Sequence, residues 1–389
     1  MRSPLRLCLL AALCASLLFV AFPRSPPLGV CGSAGGLGVR YLTVTQPLAG
    51  LADRLRGIVS LYYVAKLFNR SLLLSDELFG GKGQQYVIPN DEPGGPNYWA
   101  QPDASRVVMA AGGDNAIHYS VFNSLPGTFS PHHDSFQNFS GACGVVDVRT
   151  NSMWIPDLLA SPHLQRHPMI DELRQLDQDG QVWHHALKAL FRPGPRIVPL
   201  LQQIDVDFLL PGTFKIGLHV RTGDLKFGET AVNDFSKVES APCFATKALT
   251  EWLSITSGDR AEHYPGGLVI FMTSDDPEIL AILNSTLTNL NFTNFFTADH
   301  YSPGGVRHIA FSEGEDQTRT FLDWFLFTRM DLIIATPSGF SASASRYACT
   351  PILTDDVGHQ PSSDCQRWRT YGDAGLCQPS ASLFSHVAK

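Results

Sequence analysis

The sequence has little net charge, no paired-cysteine motif and no repeat. Its 29 Lys and Arg residues stand against 36 Asp and Glu, and charged residues make up only 17% of the 389. A mildly acidic chain without a basic stripe argues against nucleic acid as the main partner. The lack of any C-x-x-C pair argues against a zinc ribbon or a dithiol redox centre. Without an internal repeat or a heptad run, a solenoid or a coiled coil is not expected.

The N-terminus carries an apolar run. Residues 7–22 are apolar except for Ser16, with Arg2 and Arg6 before them and several prolines after them. The run spans about 24 Å as a helix, near the thickness of the thinner membranes of the secretory pathway. We expect a single-pass signal anchor with a cytoplasmic N-terminus and a lumenal remainder, in the Golgi or the endoplasmic reticulum. A cleaved signal peptide, and so a secreted protein, is the alternative.

The other cysteines and the sequons agree with export. Beyond the apolar run there are six cysteines, an even number that is compatible with three disulfides in an oxidising lumen. Cys365–Cys377 is the best local pairing. Four N-x-S/T sequons are present and predict at least one N-glycan, at Asn69, Asn138, Asn284 or Asn291.

The first structured block reads as strand, helix, strand. Val39–Thr45 and Ser71–Ser75 are strand-like, and Arg54–Phe68 has apolar residues near helical spacing with Asp53 as a plausible N-cap. A β-α-β unit predicts a parallel sheet. The stretch from Gly80 to Phe139 is rich in Gly, Pro, Asn and Asp and is predicted to be a loop-rich insertion. Loops of this kind commonly recognise a substrate, and we call this stretch the acceptor region.

A second α/β block follows a proline-rich break near Pro193–Pro211. Before the break, Leu173–Leu190 has a helical pattern with a candidate interruption at Gly180. Together the two blocks predict an α/β fold with two Rossmann-like domains facing a cleft. The predicted division is an anchor and stem at 1–30, an N-terminal α/β domain with the acceptor region at 31–205, and a C-terminal donor-binding domain at 206–389.

Three predicted strands of the second block each end in a polar loop. The strands are Phe214–Val220, Leu268–Thr273 and Asp331–Thr336, and the loops are Arg221–Asp224, Ser274–Asp276 and Pro337–Ser341. Helices are predicted at Cys243–Ser254, after Pro277, at Thr318–Thr328 and at Ala342–Tyr347. In one parallel sheet the three loops would meet at one rim, where such sheets bind ligands.

The residues at this rim suit a diphosphate. An Arg at the exposed end of a buried strand can grip two phosphate oxygens, and backbone N–H groups at a helix N-terminus can assist it. Arg221 is the candidate cation, His219 a nucleotide contact, and Asp224 a group that orients Arg221 or caps the next turn. The alternative is a local ion pair between Arg221 and Asp224.

The other rim residues also have two readings. Asp275 lies in a segment that suits a ligand contact or, preferably, a helix N-cap, because Pro277 follows. Ser338 and Ser341 suit either phosphate contacts or helix capping. Asp323 suits recognition of guanine N1 and N2, or else a solvated helix charge.

These motifs resemble the α1,2-, α1,6- and protein O-fucosyltransferase superfamily. The segment His219–Asp224 looks like its His-x-Arg-Arg-x-Asp pattern, and Gly50–Gly57 looks like its N-terminal Gly-x-Gly-Asn/Asp unit. The loop at 273–277 and the segment from Asp323 to Ser341 resemble its other motifs. The resemblance covers roughly 39–75 and 214–350.

The resemblance implies an inverting, metal-independent GT-B enzyme that uses GDP-fucose as donor, a glycan or protein hydroxyl as acceptor, and no cofactor. It implies that Arg221 grips the β-phosphate, that His219 and Asp323 hold guanosine, and that a serine adds a phosphate contact. Glu229 falls at the spacing of a proposed general base in the α1,6 branch. Lys226 is adjacent to Leu225, where that branch has a lysine, and Thr222 replaces the second arginine. These departures leave open another GDP-sugar or an inactive, glycan-binding relative.

Overall fold

The computed structural model describes residues 40–44, 50–79, 81–88, 117–121, 144–222, 234–257, 262–303, 316–355 and 368–370. The predicted anchor, the stem, the Cys365–Cys377 pair and most of the predicted acceptor region lie outside these ranges. Within them, no helix has the length and apolarity needed to cross a membrane.

The first half contains a small parallel sheet and a two-stranded ribbon. Its strands are β1 (Tyr41–Val44), β2 (Ser71–Leu74), β3 (Val87–Ile88), β4 (Ile117–Val121), β5 (Val145–Thr150) and β6 (Arg192–Pro193). The sheet has the order β2-β1-β5-β4 with every pair parallel, and β3 pairs with β6 antiparallel. The predicted parallel sheet is confirmed. The prediction of a loop-rich stretch missed β4, which joins the edge of the sheet.

Helices cover this sheet and lead to the second half. They are α1 (Leu51–Leu67), α2 (Gly83–Tyr86), α3 (Ile155–Ala160), α4 (Pro168–Gln178), α5 (Val182–Leu190) and α6 (Val198–Asp207), with a 3-10 turn at Asp76–Phe79. The predicted N-cap at Asp53 is wrong: Gly50 is the cap residue and Asp53 lies in the first turn of α1. The predicted interruption at Gly180 is confirmed, since Gly180 separates α4 from α5 with a φ of 65°, a conformation glycine adopts without steric cost.

The second half is built on a six-stranded sheet. Its strands are β7 (Thr213–Val220), β8 (Gly267–Ser274), β9 (Phe295–Phe296), β10 (Leu332–Ala335), β11 (Ile352–Asp355) and β12 (Trp368–Thr370). Their order is β12-β11-β10-β7-β8-β9, and only the edge pair β11–β12 is antiparallel. Its helices are α7 (Asp234–Thr256), α8 (Pro277–Asn289), α9 (Thr318–Phe327) and α10 (Gly339–Ala348), with a 3-10 turn at Ala298–His300.

The three central strands of this sheet are apolar almost throughout because helices cover both of their faces. One face belongs to an apolar cluster that is confined to the second half, including Ile216, Leu218 and Ile270. The other face, with Phe271 and Ile333, belongs to a cluster that continues through α9 and α10 into the first sheet. The two halves are therefore joined through this second cluster.

Candidate functional site

The order of the second sheet defines a crevice. From β7 the chain moves outward to β8 and β9 on one side, and then returns to β10 and β11 on the other. The direction of winding thus reverses between β7 and β10. In open α/β sheets, ligands bind beyond the carboxyl ends of the strands at such a reversal. His219, Arg221 and Thr336 lie at this point.

Hydrogen bonds fix the backbone that carries Arg221. The Arg221 amide donates to Thr336 Oγ1 at 2.9 Å, across the gap between β7 and β10. The Thr222 amide and hydroxyl both donate to Asp275 Oδ1, at 2.8 and 3.1 Å. On the same side, Ser274 Oγ donates to the Val220 carbonyl at 2.6 Å. The turn after β7 is therefore tied to both neighbouring strand ends.

The side chain of Arg221 is half-buried at the end of β7. Within the described part of the chain, no hydrogen bond or ion pair engages its guanidinium. Among the described residues, the charge of this half-buried side chain is therefore left without a partner.

His219 lies beneath this turn and is buried, with 5% of its surface exposed. Its ring packs against Phe327 and Phe340, with centroids 5.7 and 5.4 Å away. Its Nδ1 is buried and has no hydrogen-bond partner among the described residues. Burial lowers the pKa of His219 to about 4, with Asp275 opposing and Arg221 reinforcing the shift. The ring is therefore neutral at physiological pH and has an unsatisfied polar atom.

The two carboxylates of the β8 loop have separate structural partners. Asp276 is the N-cap of α8, and its Oδ1 accepts the Glu278 amide at 2.8 Å. The preferred cap reading is thus correct for Asp276, whereas Asp275 holds Thr222. No group of three potential metal-ligating side chains occurs in the described ranges.

The N-terminus of α10 faces the same crevice. Ser338 is its N-cap, with Oγ accepting the Phe340 amide at 3.3 Å. Ser341 is fully buried, and its hydroxyl donates to the Ser338 carbonyl at 3.3 Å. Ser341 therefore bonds back to the carbonyl of the N-cap residue within the first turn of α10, and the capping role belongs to Ser338. Ser338 remains beside the first amides of the helix, where an anion is stabilised.

The N-terminus of α1 contacts the N-terminus of α10. A Cβ atom built on Gly339 would approach Ala52 Cβ to 2.7 Å, closer than such atoms pack. Glycine at 339 is therefore required for the approach of the two helix ends. The motif at Gly50–Gly57, from the first half, is brought to the edge of the crevice in this way.

Asp323 is fully buried rather than a solvated helix charge. Its Oδ2 accepts from Thr273 Oγ1 at 2.5 Å and its Oδ1 accepts from Arg319 Nε at 2.8 Å. Burial raises the pKa of Asp323, and Arg319 and Thr273 oppose that rise. Arg319 is itself buried and also pairs with Asp299. With a hydrogen bond to each oxygen, Asp323 braces the end of β8.

Three predicted site residues, Asp224, Lys226 and Glu229, lie outside the described residues. Two supporting residues were missed from the sequence. Thr336, at the end of β10, had no assigned role, although a hydroxyl at a strand end next to the reversal point is a usable signal. Arg319 was missed because an arginine four residues before an aspartate on a helix usually forms a solvent-exposed pair of little consequence.

No protein-family model matches the chain, and no curated protein matches it in sequence. Its fold does match solved structures. FUT1 of Arabidopsis thaliana, as a variant in complex with GDP, has a TM-score of 0.56 and 15% identity over 85% of this chain and 74% of that chain. The fucosyltransferase NodZ from Bradyrhizobium has a TM-score of 0.45 and 15% identity, covering 82% of this chain and 97% of its own. POFUT1 has a TM-score of 0.46 and 12% identity, covering 84% and 100%.

At these identities the likeness shows the fold. The predicted α/β class with a GT-B-like arrangement of Rossmann-like units is confirmed by the sheets described above and by the match to FUT1 of Arabidopsis thaliana.

Proposed function

We propose that the chain is an inverting, metal-independent glycosyltransferase that moves fucose from GDP-fucose to a hydroxyl of a glycan or protein. The observation that carries the proposal is Arg221, whose backbone is held by a hydrogen bond at the reversal point between β7 and β10 and whose guanidinium has no partner among the described residues. The matched plant protein was solved in complex with GDP, and its fold is shared by this chain. A GDP-sugar is therefore the first donor to test.

The chemistry requires stabilisation of a departing diphosphate. When the bond between the sugar and GDP breaks, negative charge grows on the β-phosphate. The Arg221 guanidinium can donate two parallel hydrogen bonds to that group, and the first amides of α10 behind Ser338 add a positive dipole end. Donors that are fixed before reaction stabilise such charge without reorganisation.

The general base of the proposed reaction is Glu229, which lies outside the described residues. In our proposal Glu229 removes the proton from the acceptor hydroxyl as that oxygen attacks the sugar, while Lys226 and Asp224 support the donor. A single displacement inverts the anomeric centre. Strict dependence on manganese, with loss of transfer in EDTA, would contradict the metal-free mechanism.

Recognition of the nucleoside is assigned to His219. A buried polar atom without a partner is costly, and a ligand group that reaches Nδ1 would remove that cost. Asp323 is assigned a supporting role through Thr273, in place of the direct guanine contact that the resemblance implied. The chain is proposed to act in the lumen of the Golgi or endoplasmic reticulum, held by the apolar run at 7–22.

A transferase for another GDP-sugar is the second candidate, and Thr222 is the observation that favours it. At this position the family pattern has an arginine, whereas Thr222 binds Asp275. A thermal-shift panel of GDP-fucose, GDP-mannose, GDP and UDP-sugars discriminates the two, because a ligand at 100 times its Kd stabilises by about 2.7 kcal/mol. Mass analysis of a glycan acceptor panel then identifies the product. Stabilisation by no GDP-sugar would overturn both candidates.

A further inference from the structure

Two of the sequons occupy matching positions in the two halves of the molecule. Asn69 follows α1 and Asn291 follows α8, each in the left-handed conformation with φ of 47° and 56°. In each case the next amide closes the helix end: Arg70 donates to the Ala65 carbonyl at 2.8 Å, and Phe292 to the Leu287 carbonyl at 2.9 Å. Both are Schellman-type helix ends.

The geometry of the helix ends explains why asparagine occurs at these two positions. It does not explain why a serine or threonine follows two residues later. Asparagine tolerates the left-handed region better than other residues with a side chain. The end of α4 has the same geometry with Gly180, so the conformation demands no particular residue two positions later. Yet Ser71 and Thr293 stand there, and neither hydroxyl has a hydrogen-bond partner in the described structure. The described residues therefore do not explain why a hydroxyl side chain stands two positions after each of these asparagines.

The third described sequon is different. Asn284 lies inside α8, and the hydroxyl of Thr286 donates back to the Ile282 carbonyl at 2.8 Å. Asn284 Oδ1 also receives a hydrogen bond from Thr288 at 3.4 Å. Each group of this sequon has a local role in the helix, so the pattern needs no further explanation.

Asn69 and Asn291 are also accessible and lie away from the candidate site. Asn69 and Asn291 are exposed. Each precedes the amino end of a strand, β2 in the first sheet and β9 in the second, whereas the candidate site lies at the carboxyl ends. Bulky groups at these asparagines would point away from the crevice.

We propose that Asn69 and Asn291 are N-glycosylation sites, one on each half of the molecule. The inference rests on the lumenal location that forms part of the proposed function. The glycan comes from a polyprenyl diphosphate-linked oligosaccharide. The amide Nδ2 forms a bond to the anomeric carbon and loses one proton, and the bond from that carbon to the diphosphate oxygen breaks.

The test uses the full chain expressed in cells with a eukaryotic secretory pathway. Removal of N-glycans with an amidase should increase gel mobility and convert both asparagines to aspartate, as seen in peptide mass spectra. Asn69→Gly and Asn291→Gly should each abolish one mobility step, because glycine keeps the helix end and removes the acceptor. Ser71→Ala and Thr293→Ala should do the same, whereas Thr293→Ser should retain the glycan.

The chain could carry glycans at other sequons while the peptides with Asn69 or Asn291 are unmodified. That result would overturn this inference but not the lumenal location. A chain without any glycan, together with protease accessibility from the cytosol, would overturn the lumenal location as well. Transfer from GDP-fucose is assayed separately, and the glycine variants should keep the wild-type rate. Absence of transfer from GDP-fucose in a correctly glycosylated chain would overturn the proposed function but not the two glycan sites.

Discussion

At the scale of single residues, Asp275 is a positioning group. It accepts hydrogen bonds from the amide and the hydroxyl of Thr222 and so fixes the segment that presents Arg221. Displacement of a binding group by about 1 Å can reduce rates by about 100-fold. We therefore expect Asp275 to support the donor site through Thr222.

Asp275→Ala is therefore expected to lower kcat/KM for transfer from the GDP-sugar by about 10- to 100-fold. Asp275→Asn should retain most activity, because its amide oxygen still accepts the Thr222 amide. Thr222→Ser should also be tolerated, and Thr222→Val should be impaired less than Asp275→Ala. Equal losses in the alanine and asparagine variants would indicate that the charge itself is required and would contradict the positioning role.

The buried imidazole of His219 predicts a pH dependence of stability. Its pKa is about 4 in the folded chain and about 6.5 when unfolded. Between these values the unfolded state binds a proton that the folded state does not. Stability is therefore lost as pH falls from about 6.5 towards 4, and the loss disappears above pH 6.5.

Chemical denaturation of the wild type and of His219→Gln across this pH range measures the effect. The difference in unfolding free energy between the two proteins should change with pH between 6.5 and 4, and should be constant above 6.5. A difference that does not change with pH would show that the folded imidazole is protonated normally.

At the scale of elements, the contact between the N-termini of α1 and α10 joins the two halves at the edge of the crevice. Gly339→Ala would force its new Cβ against Ala52. Overpacking of this kind costs about 1–3 kcal/mol. Because the displaced element is the helix end proposed to bind phosphate, donor affinity should fall together with stability.

Ala52→Gly provides the matched rescue. In the double variant the clash is removed, so donor affinity should return towards that of Ala52→Gly alone. A double-mutant cycle with thermal unfolding and GDP titration measures the coupling. Strictly additive effects would contradict direct contact between these helix ends.

The elements that the sequence predicted correctly are those with strong local signals. The buried strands β7, β8 and β10 are mostly apolar runs that end in polar turns, and Gly180 marks a helix end. The N-cap of α1 was misplaced because Asp53 is the more familiar capping residue, while Gly50 caps through its backbone alone. Strand β4 was missed because its partner β5 is distant in sequence and supplies the hydrogen bonds.

The same difference between local signals and contacts distant in sequence holds for the candidate site. The positions of His219 and Arg221 at the end of β7 and the capping role of the β8 loop follow from local sequence. The burial of Asp323 does not, because it depends on Thr273 and Arg319 packing around it in three dimensions. Neither does the pairing of Thr222 with Asp275, two residues that lie on neighbouring strand ends.

At the scale of the whole molecule, one apolar cluster runs from the first sheet through α9 and α10 to one face of the second sheet. A shared core couples the unfolding of the parts that it joins. We therefore expect a single cooperative thermal transition whose calorimetric and van 't Hoff enthalpies agree. Two separated transitions would show that the halves fold as independent units, with the boundary near 205 that the sequence predicts.

The most direct test of the central claim is binding of GDP to variants of one arginine. Calorimetric titration compares the wild type, Arg221→Ala and Arg174→Ala, the last a control because Arg174 lies on α4 and pairs with exposed Asp171. We expect the wild type and Arg174→Ala to bind GDP equally, and Arg221→Ala to bind it about 100-fold more weakly, as for loss of a fixed charged donor. Equal affinity in all three proteins would contradict the assignment of Arg221 to the donor site.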